Sequence, residues 1–332
     1  MSSDANEETK TLLEWALRVC PDSSRKRVKE WIAGGRFCLH GEVVTKASIR
    51  MPDPGNALTM GPPSQTERRW GIRKRIHPKL VLVYLDTDLA IVDKEAGLLS
   101  VPTKQQSQES ALDVLAHYLN DPQGEATRRS FFGNARLVQP LPVHRLDQYT
   151  SGLLCIAMNE TARAQLIAQL RRHEFLREYI AYVNGEARKP SGSWRNFMKL
   201  DPTGFYQNIV PANTLQATEA ITHFKVVEHF AHHRVSKLRL RLETGLKHQI
   251  RLQAAAHRLA LIGDRNYEES TQKALANKGT PLPYQFKRQA LHAAMIGITH
   301  PTTGEKMRFE SKIPGDMQKL EVRLRDESLP LR

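Results

Sequence analysis

The segment PVHRLDQYTSGLLCIAM, residues 142–158, sets a polar loop directly ahead of an unbroken apolar run, GLLCIAM. A short apolar run after turn-forming residues is the pattern of a buried strand, so the loop before it lies at the edge of a core. The loop carries one carboxylate, Asp147, with positive charge beside it at His144 and Arg145 and hydroxyl donors at Thr150 and Ser151. Taken alone, such a tetrad is more often a structural ion pair on a loop than a reaction centre. Its weight depends on what surrounds it.

Upstream, residues 80–93 (LVLVYLDTDLAIVD) predict two short strands and 109–119 a helix. Downstream, 160–174 predict a helix, 177–185 (REYIAYVNG) a strand ended by Gly185, 219–228 and 235–243 two further strands, and 247–259 a helix. In the last strand Leu238, Leu240 and Leu242 alternate with Arg239, Arg241 and Glu243, the period of a half-buried strand. Strands outnumber helices and follow one another directly. That order predicts an α+β domain with a mixed, mainly antiparallel sheet flanked by helices and loops. The stretch 186–218, rich in Pro, Gly, Ser and Asn, predicts an insertion over one sheet edge.

A smaller unit comes first. Leu12, Leu13, Trp15, Ala16 and Val19 stand near helical spacing, and a second helix starts at Ser23 or Ser24, carries Val28, Trp31 and Ile32, and stops at Gly34-Gly35. A strand-like piece, FCLHGEVV, turns at His40-Gly41. The expected organisation is a tail at 1–10, a small α/β domain at 11–62, a basic linker at 63–79 and a large domain at 80–326.

The chain has 332 residues, enough for about two domains, with 49 basic and 35 acidic side chains and a formal charge of +14. The junction 65–79 alone holds six basic residues against one acidic, and most of the remaining excess lies beyond it. Excess base of this kind points to a polyanion such as nucleic acid. Cys20, Cys38 and Cys155 are odd in number and form no C-x-x-C pair, which excludes a disulfide framework and a cysteine-rich zinc site. The start, MSSDANEETK, lacks the features of a leader, and no apolar run approaches the ~18 residues that cross a bilayer. A cytoplasmic protein with no membrane partner is expected.

Several chemistries lack their motifs. There is no P-loop, no G-x-G, no G-x-S-x-G and no H-E-x-x-H. The histidines of HFAHHR, 229–234, have only Glu228 nearby as a further ligand and are expected to be exposed loop residues, with no metal site. Two other segments converge on Asp147. The period of two puts Arg177 and Tyr179 on one strand face, and His248 and Arg251, three apart, share one face at the start of the helix. Singly, Tyr179 reads as core and Arg251 as a surface cation. An Asp buried beside such a cation is held in its charged form.

HRLDQYTSGLL resembles the catalytic-loop motif of the RluA-type pseudouridine synthases, His-Arg-Leu-Asp, a variable pair and Thr-Ser-Gly-Leu. VDKEAGLLSVP (92–102), REYIAYVNG, ETGLKHQIRLQ (243–253), IGDRNY (262–267) and LHAAMIGITHPTTGE (291–305) resemble further segments of that family in its order, so the resemblance spans most of 80–325. Residues 12–44 are similar to an S4 RNA-binding domain, with Ser24-Arg25 opening a helix and Gly35-Arg36 ending it. Five departures stand out: Glu95, Gln148, Arg177, Leu246-Lys247 and Gln253 replace residues common in the family. None falls on the residues that matter most.

The resemblance implies that Asp147 is the catalytic carboxylate, Tyr179 the aromatic partner of the target base and Arg251 the cation paired with Asp147. It implies substrate contacts at His144, Arg145, Thr150, Lys247 and His248, and RNA contacts at Arg25, Lys26, Arg36 and Arg73. The reaction implied is isomerisation of a flipped-out uridine to pseudouridine with no cofactor. The expected partner is structured RNA, ribosomal large-subunit RNA first and transfer RNA as the alternative, acted on by a monomer. Two rival readings are a non-catalytic RNA-binding or ribosome-assembly factor and a glycoside hydrolase. The second needs another carboxylate near Asp147, and its motif offers none.

Overall fold

Thr11 starts the first helix by a reciprocal cap. Its hydroxyl oxygen accepts from the Glu14 N–H at 3.3 Å, and the Glu14 carboxylate accepts from the Thr11 N–H at 2.8 Å. The structure is a computed structural model that describes residues 9–21, 23–33, 36–60, 73–103, 108–132, 137–204, 206–267 and 286–326. The chain divides into two units, Met1–Arg73 and Lys74–Arg332.

In the first unit, β1 (Lys10–Thr11) leads into α1 (Leu12–Val19), followed by α2 (Arg25–Ala33), β2 (Phe37–Leu39), β3 (Glu42–Val44), β4 (Arg50–Met51) and β5 (Leu58–Met60). The apolar stripes meet as predicted: Leu12, Trp15 and Ala16 pack with Val28, Ile32, Phe37 and Leu58. His40 (φ 52°) and Gly41 (φ 85°) both adopt positive φ, the turn that matches strand twist between β2 and β3. Arg25 and Lys26 are exposed on α2, and the Arg36 guanidinium lies over the Trp31 ring at 4.6 Å. Gly34-Gly35 lies outside the described residues.

The second unit begins earlier than the sequence suggests. Lys74–His77, inside the expected linker, is strand β6 and pairs with β7 (Leu80–Leu85). Local anchors hold it there: Lys74 Nζ donates to the Tyr118 hydroxyl at 2.9 Å, and Arg75 donates to the Pro78 carbonyl at 2.7 Å. Arg73 precedes it, exposed; Arg68 and Arg69 lie outside the described residues. Next come β8 (Leu89–Lys94), α3 (Ala111–Asn120), α4 (Glu125–Phe132), β9 (Leu141–Pro142), β10 (Ser151–Ala157), α5 (Glu160–Arg171), β11 (Leu176–Asn184), β12 (Ser191–Leu200), β13 (Gln207–Val210), β14 (Thr218–Phe230), β15 (Val235–Leu242), α6 (Gln249–Ala256), β16 (Leu291–Thr299), β17 (Lys306–Glu310) and α7 (Gly315–Arg325).

These strands form one sheet in the order β13-β12-β14-β15-β11-β16-β10-β8-β7-β6, with β17 beside β16 and β9 beside β10. Every pairing is antiparallel except β10 with β16, which run parallel at the centre. The expected α+β domain with a mixed, mainly antiparallel sheet is therefore present. β10 is buried along its whole length, as its unbroken apolar run requires. Phe175, Leu166 and Ile296 pack with Leu153 and Cys155 on one side of the centre. Tyr182, Ile262, Met317 and Leu320 form a second core.

Two expectations change. The stretch 186–218 holds strands β12 and β13, which continue the sheet to its edge by backbone pairing. The histidines near 230 are not all exposed: His233 is buried, while His229 sits beside Ser236 at 3.2 Å. No helix among the described residues is long and apolar enough to cross a membrane.

Candidate active site

Asp147 lies on the loop before β10, in a turn closed by the Thr150 N–H donating to the Asp147 carbonyl at 3.0 Å. The loop is held from β8 and the turn after it. Ser100 Oγ donates to the Leu146 carbonyl at 2.8 Å and accepts from the Leu146 N–H at 3.0 Å. Lys94, fully buried, points its ammonium at three carbonyls, Glu95 at 3.1 Å, Leu98 at 3.0 Å and Gln148 at 3.0 Å. Burial pulls its pKa down to about 7, against the attraction of Asp147. On the other side Arg288 donates to the Tyr149 carbonyl at 3.2 Å while gripping Asp316 of α7 at 2.7 and 3.0 Å. A carboxylate on such a loop is held in place by both neighbours.

Helix α6 brings the cation. Arg251 Nη1 donates to Asp147 Oδ2 at 3.2 Å, while Nε and Nη2 donate to the two oxygens of Asp264 at 2.6 and 2.7 Å. Arg251 is 6% exposed and Asp264 is fully buried, so neither charge could sit there alone. Burial works against the guanidinium, but the Asp264 pair and then Asp147 outweigh it and hold Arg251 above its ordinary pKa. His248 caps the helix in a left-handed conformation (φ 55°), which places Nε2 3.9 Å from Asp147 Oδ1 and Nδ1 3.0 Å from the Tyr267 hydroxyl. Burial pushes His248 down to about 4, so the imidazole is neutral near pH 7 although Asp147 favours its charge. The left-handed residue also explains why the helix starts at 249 and not 247.

Strand β11 supplies the aromatic wall. Its register against β16 shifts between Glu178 and Tyr179, yet Arg177 and Tyr179 stay on one face, 7% and 5% exposed. Burial raises the Tyr179 pKa and holds its phenol protonated. Both side chains line a cavity of about 410 Å³ that Asp147, Arg145, Lys247, His248 and Arg251 also line. Lys247 Nζ donates to the Gly204 carbonyl at 2.8 Å, tying the loop 244–248 to the connection between β12 and β13.

Asp147, Tyr179 and Arg251 thus meet as the sequence predicts, with Lys247 and His248 beside them and Arg145 exposed on the wall. Two further residues expected to contact substrate, His144 and Thr150, also line the cavity while holding the loop. His144 Nε2 accepts from the Cys155 N–H at 3.0 Å and its ring packs edge-on against Phe175, with burial taking its pKa to about 3; it anchors the loop to β10. The Thr150 hydroxyl accepts from Gln289 Nε2 at 3.2 Å and the residue is buried, so it fastens the same loop. Arg25, Lys26, Arg36 and Arg73 belong to the first unit. Four contributors escaped the sequence reading: Lys94, Asp264, Tyr267 and Arg288. Asp264 and Tyr267 sit in IGDRNY and could have been sought there, since a buried guanidinium with three usable nitrogens needs more than one acceptor.

Asp86, Asp88 and His300 come close enough to ligate a metal. Their atoms are already used: Asp86 Oδ1 accepts from the Asp88 and Leu89 N–H groups, Oδ2 from the Tyr84 hydroxyl and His300 Nε2, and Asn159 donates to Asp88. The cluster closes the β7–β8 turn.

Residues 88–256 match the family model described as RNA pseudouridylate synthase. The chain is 32% identical over 319 residues to the ribosomal large subunit pseudouridine synthase D of Vibrio cholerae, covering 92% of this chain and 89% of that protein. It is 31% identical over 316 residues to the protein of the same name from Escherichia coli K12, covering 90% and 86%. Among solved structures, human RNA pseudouridylate synthase domain containing 4 shares the fold at a TM-score of 0.55 and 19% identity, over 74% of this chain and 92% of that one.

Proposed function

The chain belongs to the RNA pseudouridylate synthase family, and we propose that it isomerises uridine to pseudouridine in large-subunit ribosomal RNA, with Asp147 as the catalytic carboxylate. One observation carries the assignment of Asp147: its Oδ2 lies 3.2 Å from a guanidinium that Asp264 locks, on a cavity wall shared with Tyr179. The choice of RNA is supported by the names of the Vibrio and Escherichia relatives.

The Asp147 side chain is 18% exposed and set back in the cavity, so a uridine inside a stacked stem does not reach it. The target nucleotide turns out of the stack, and Arg145 on the wall is placed to hold the distorted RNA. The cavity is of the size that holds a small ligand, about 300–1,000 Å³. In the reaction the N1–C1′ bond breaks, the base turns within the site, C5 bonds to C1′, the C5 hydrogen leaves as a proton and N1 takes one up. Asp147 starts it as an anion, by attack on C1′ or by taking a ribose proton, and Arg251 faces that carboxylate before the step and when its charge returns at the end. Tyr179 packs on the ring, its protonated hydroxyl near the carbon that loses hydrogen. Substrate and product have the same atoms, so the balance calls for no co-reactant.

The first unit supports the same reading as an S4-like RNA-binding module, through Arg25 and Lys26 exposed on α2 and Arg36 beside it. The test uses ribosomal RNA from cells lacking the chain, incubated with wild type or Asp147→Asn and mapped for pseudouridine. New pseudouridines with wild type alone are expected. A wild type as inactive as the variant would overturn the proposal.

A further inference from the structure

Among the described residues Arg177 is a buried cation without a counter-ion. It is 7% exposed, its Nη2 donates to the Thr244 carbonyl at 3.2 Å, and its Nε is buried with no acceptor. Among the described residues no carboxylate forms an ion pair with it. The two carboxylates of the cavity wall are engaged elsewhere: Asp147 faces Arg251, and Glu243 pairs with His223 Nε2 at 2.9 Å. The same wall carries Arg145, Arg171, Lys247 and Arg251, so five cations stand against two carboxylates.

The chain keeps room for this group. A Cβ on Gly245 would lie 2.5 Å from Arg177 Nη1, so the guanidinium packs against a backbone that glycine leaves bare. Burying a guanidinium without a partner is costly, and burial pulls its pKa below the usual arginine value. Such a group is stable when an anion arrives to meet it. Its planar donors fit phosphate better than a lone carboxylate oxygen, and a dry setting strengthens the charge-assisted bonds.

Resting on the pseudouridine synthase reading, we propose that Arg177 binds a non-bridging oxygen of one phosphate flanking the flipped uridine, and that Gly245 keeps the guanidinium in reach of it. The exposed Arg145 and Arg171 attract the RNA strand over a distance, whereas Arg177 registers one phosphate and so fixes how far the nucleotide enters. Arg177 is a binding residue; Asp147 and Tyr179 remain at the reacting atoms.

The test is a double-mutant cycle between protein and RNA. Synthetic hairpins carrying the mapped target uridine are made with a neutral methylphosphonate at its 5′ or its 3′ phosphate, and single-turnover kcat/KM is measured for wild type, Arg177→Gln, Arg177→Lys and Gly245→Ala. With wild type, one of the two methylphosphonates is expected to lower kcat/KM roughly 10- to 100-fold, the scale of one charge-assisted hydrogen bond. With Arg177→Gln the same methylphosphonate has no further effect, and Arg177→Lys retains most of the sensitivity. Gly245→Ala, which displaces the guanidinium but keeps its charge, loses the sensitivity too, and it serves if Arg177→Gln does not fold. Independent, multiplying losses at both phosphates would overturn the inference. So would an Arg177→Gln variant that keeps full phosphate sensitivity and shifts only the pH profile, because the charge would then serve Tyr179. A wild type inactive on the unmodified hairpin overturns the proposed function itself, which separates the two failures.

Discussion

Asp264 holds Arg251 through two parallel hydrogen bonds, at 2.6 Å from Nε and 2.7 Å from Nη2, and thereby leaves Nη1 for Asp147. The fork geometry fixes the plane of the guanidinium, so the direction from which Asp147 feels positive charge is set by a residue that never meets the substrate. Asp264→Asn keeps the shape and removes the charge. It should cost about 3–5 kcal/mol of stability, the scale for breaking a buried pair, read from urea unfolding. In the folded fraction kcat should fall by about 10-fold or more while RNA affinity stays near wild type. Wild-type kcat in folded Asp264→Asn would show that the grip has no part in positioning.

Tyr179→Phe separates the ring from the hydroxyl. The side chain is 5% exposed and its phenol is held protonated by burial, so phenylalanine fits the same space and stability should change by about 1 kcal/mol or less. If the hydroxyl moves the C5 proton, single turnover should slow by about 10²–10⁴-fold with unchanged RNA binding. An unchanged rate would leave the ring alone as the contribution of Tyr179.

The parts of this site that were legible in the sequence are those with local periodicity. Arg177 and Tyr179 share a face by the period of two, and His248 and Arg251 both reach Asp147, the first as the left-handed residue before α6 and the second from its first turn. Asp264 and Lys94 had no such signal: one is a lone carboxylate after a glycine, the other a lysine ending an apolar strand, and what defines each is a partner at no helical or strand spacing, Arg251 for Asp264 and the Glu95, Leu98 and Gln148 carbonyls for Lys94. β12 was hidden for another reason. Trp194 and Met198 are the only side chains it buries fully, so it shows no clean alternation, and its place is set by backbone pairing with β14.

Gly152 illustrates a motif residue whose reason is geometric. Its φ is +112°, and a Cβ would lie 2.2 Å from the Ala293 carbonyl oxygen, at the one place where β10 and β16 run parallel. Gly152→Ala therefore strains both the backbone and the sheet centre directly after the Asp147 loop. Thermal or urea unfolding should show a loss of about 3–5 kcal/mol. A loss under about 1 kcal/mol would mean the two strands part without cost.

Three histidines, His292 buried and His144 and His248 partly so, give the protein a defined acid limit. Burial holds His144 down to about 3 and His248 and His292 to about 4, against nearby charges that act in both directions: Arg177 lowers His144, Asp147 raises His248 and Arg288 lowers His292. An unfolded histidine takes its proton near 6.5. Above that pH both states are neutral and the full stability is present; below it the unfolded chain binds protons the folded chain refuses, so stability falls from about pH 6.5 down toward 4. Between pH 7 and pH 5 each histidine should contribute a loss of up to about 2 kcal/mol. Urea midpoints measured at pH 7, 6 and 5 should decline steadily. His292→Asn, which removes one of these groups, should flatten the decline even though it lowers stability at pH 7. A midpoint independent of pH over this range would show that the three imidazoles accept protons in place.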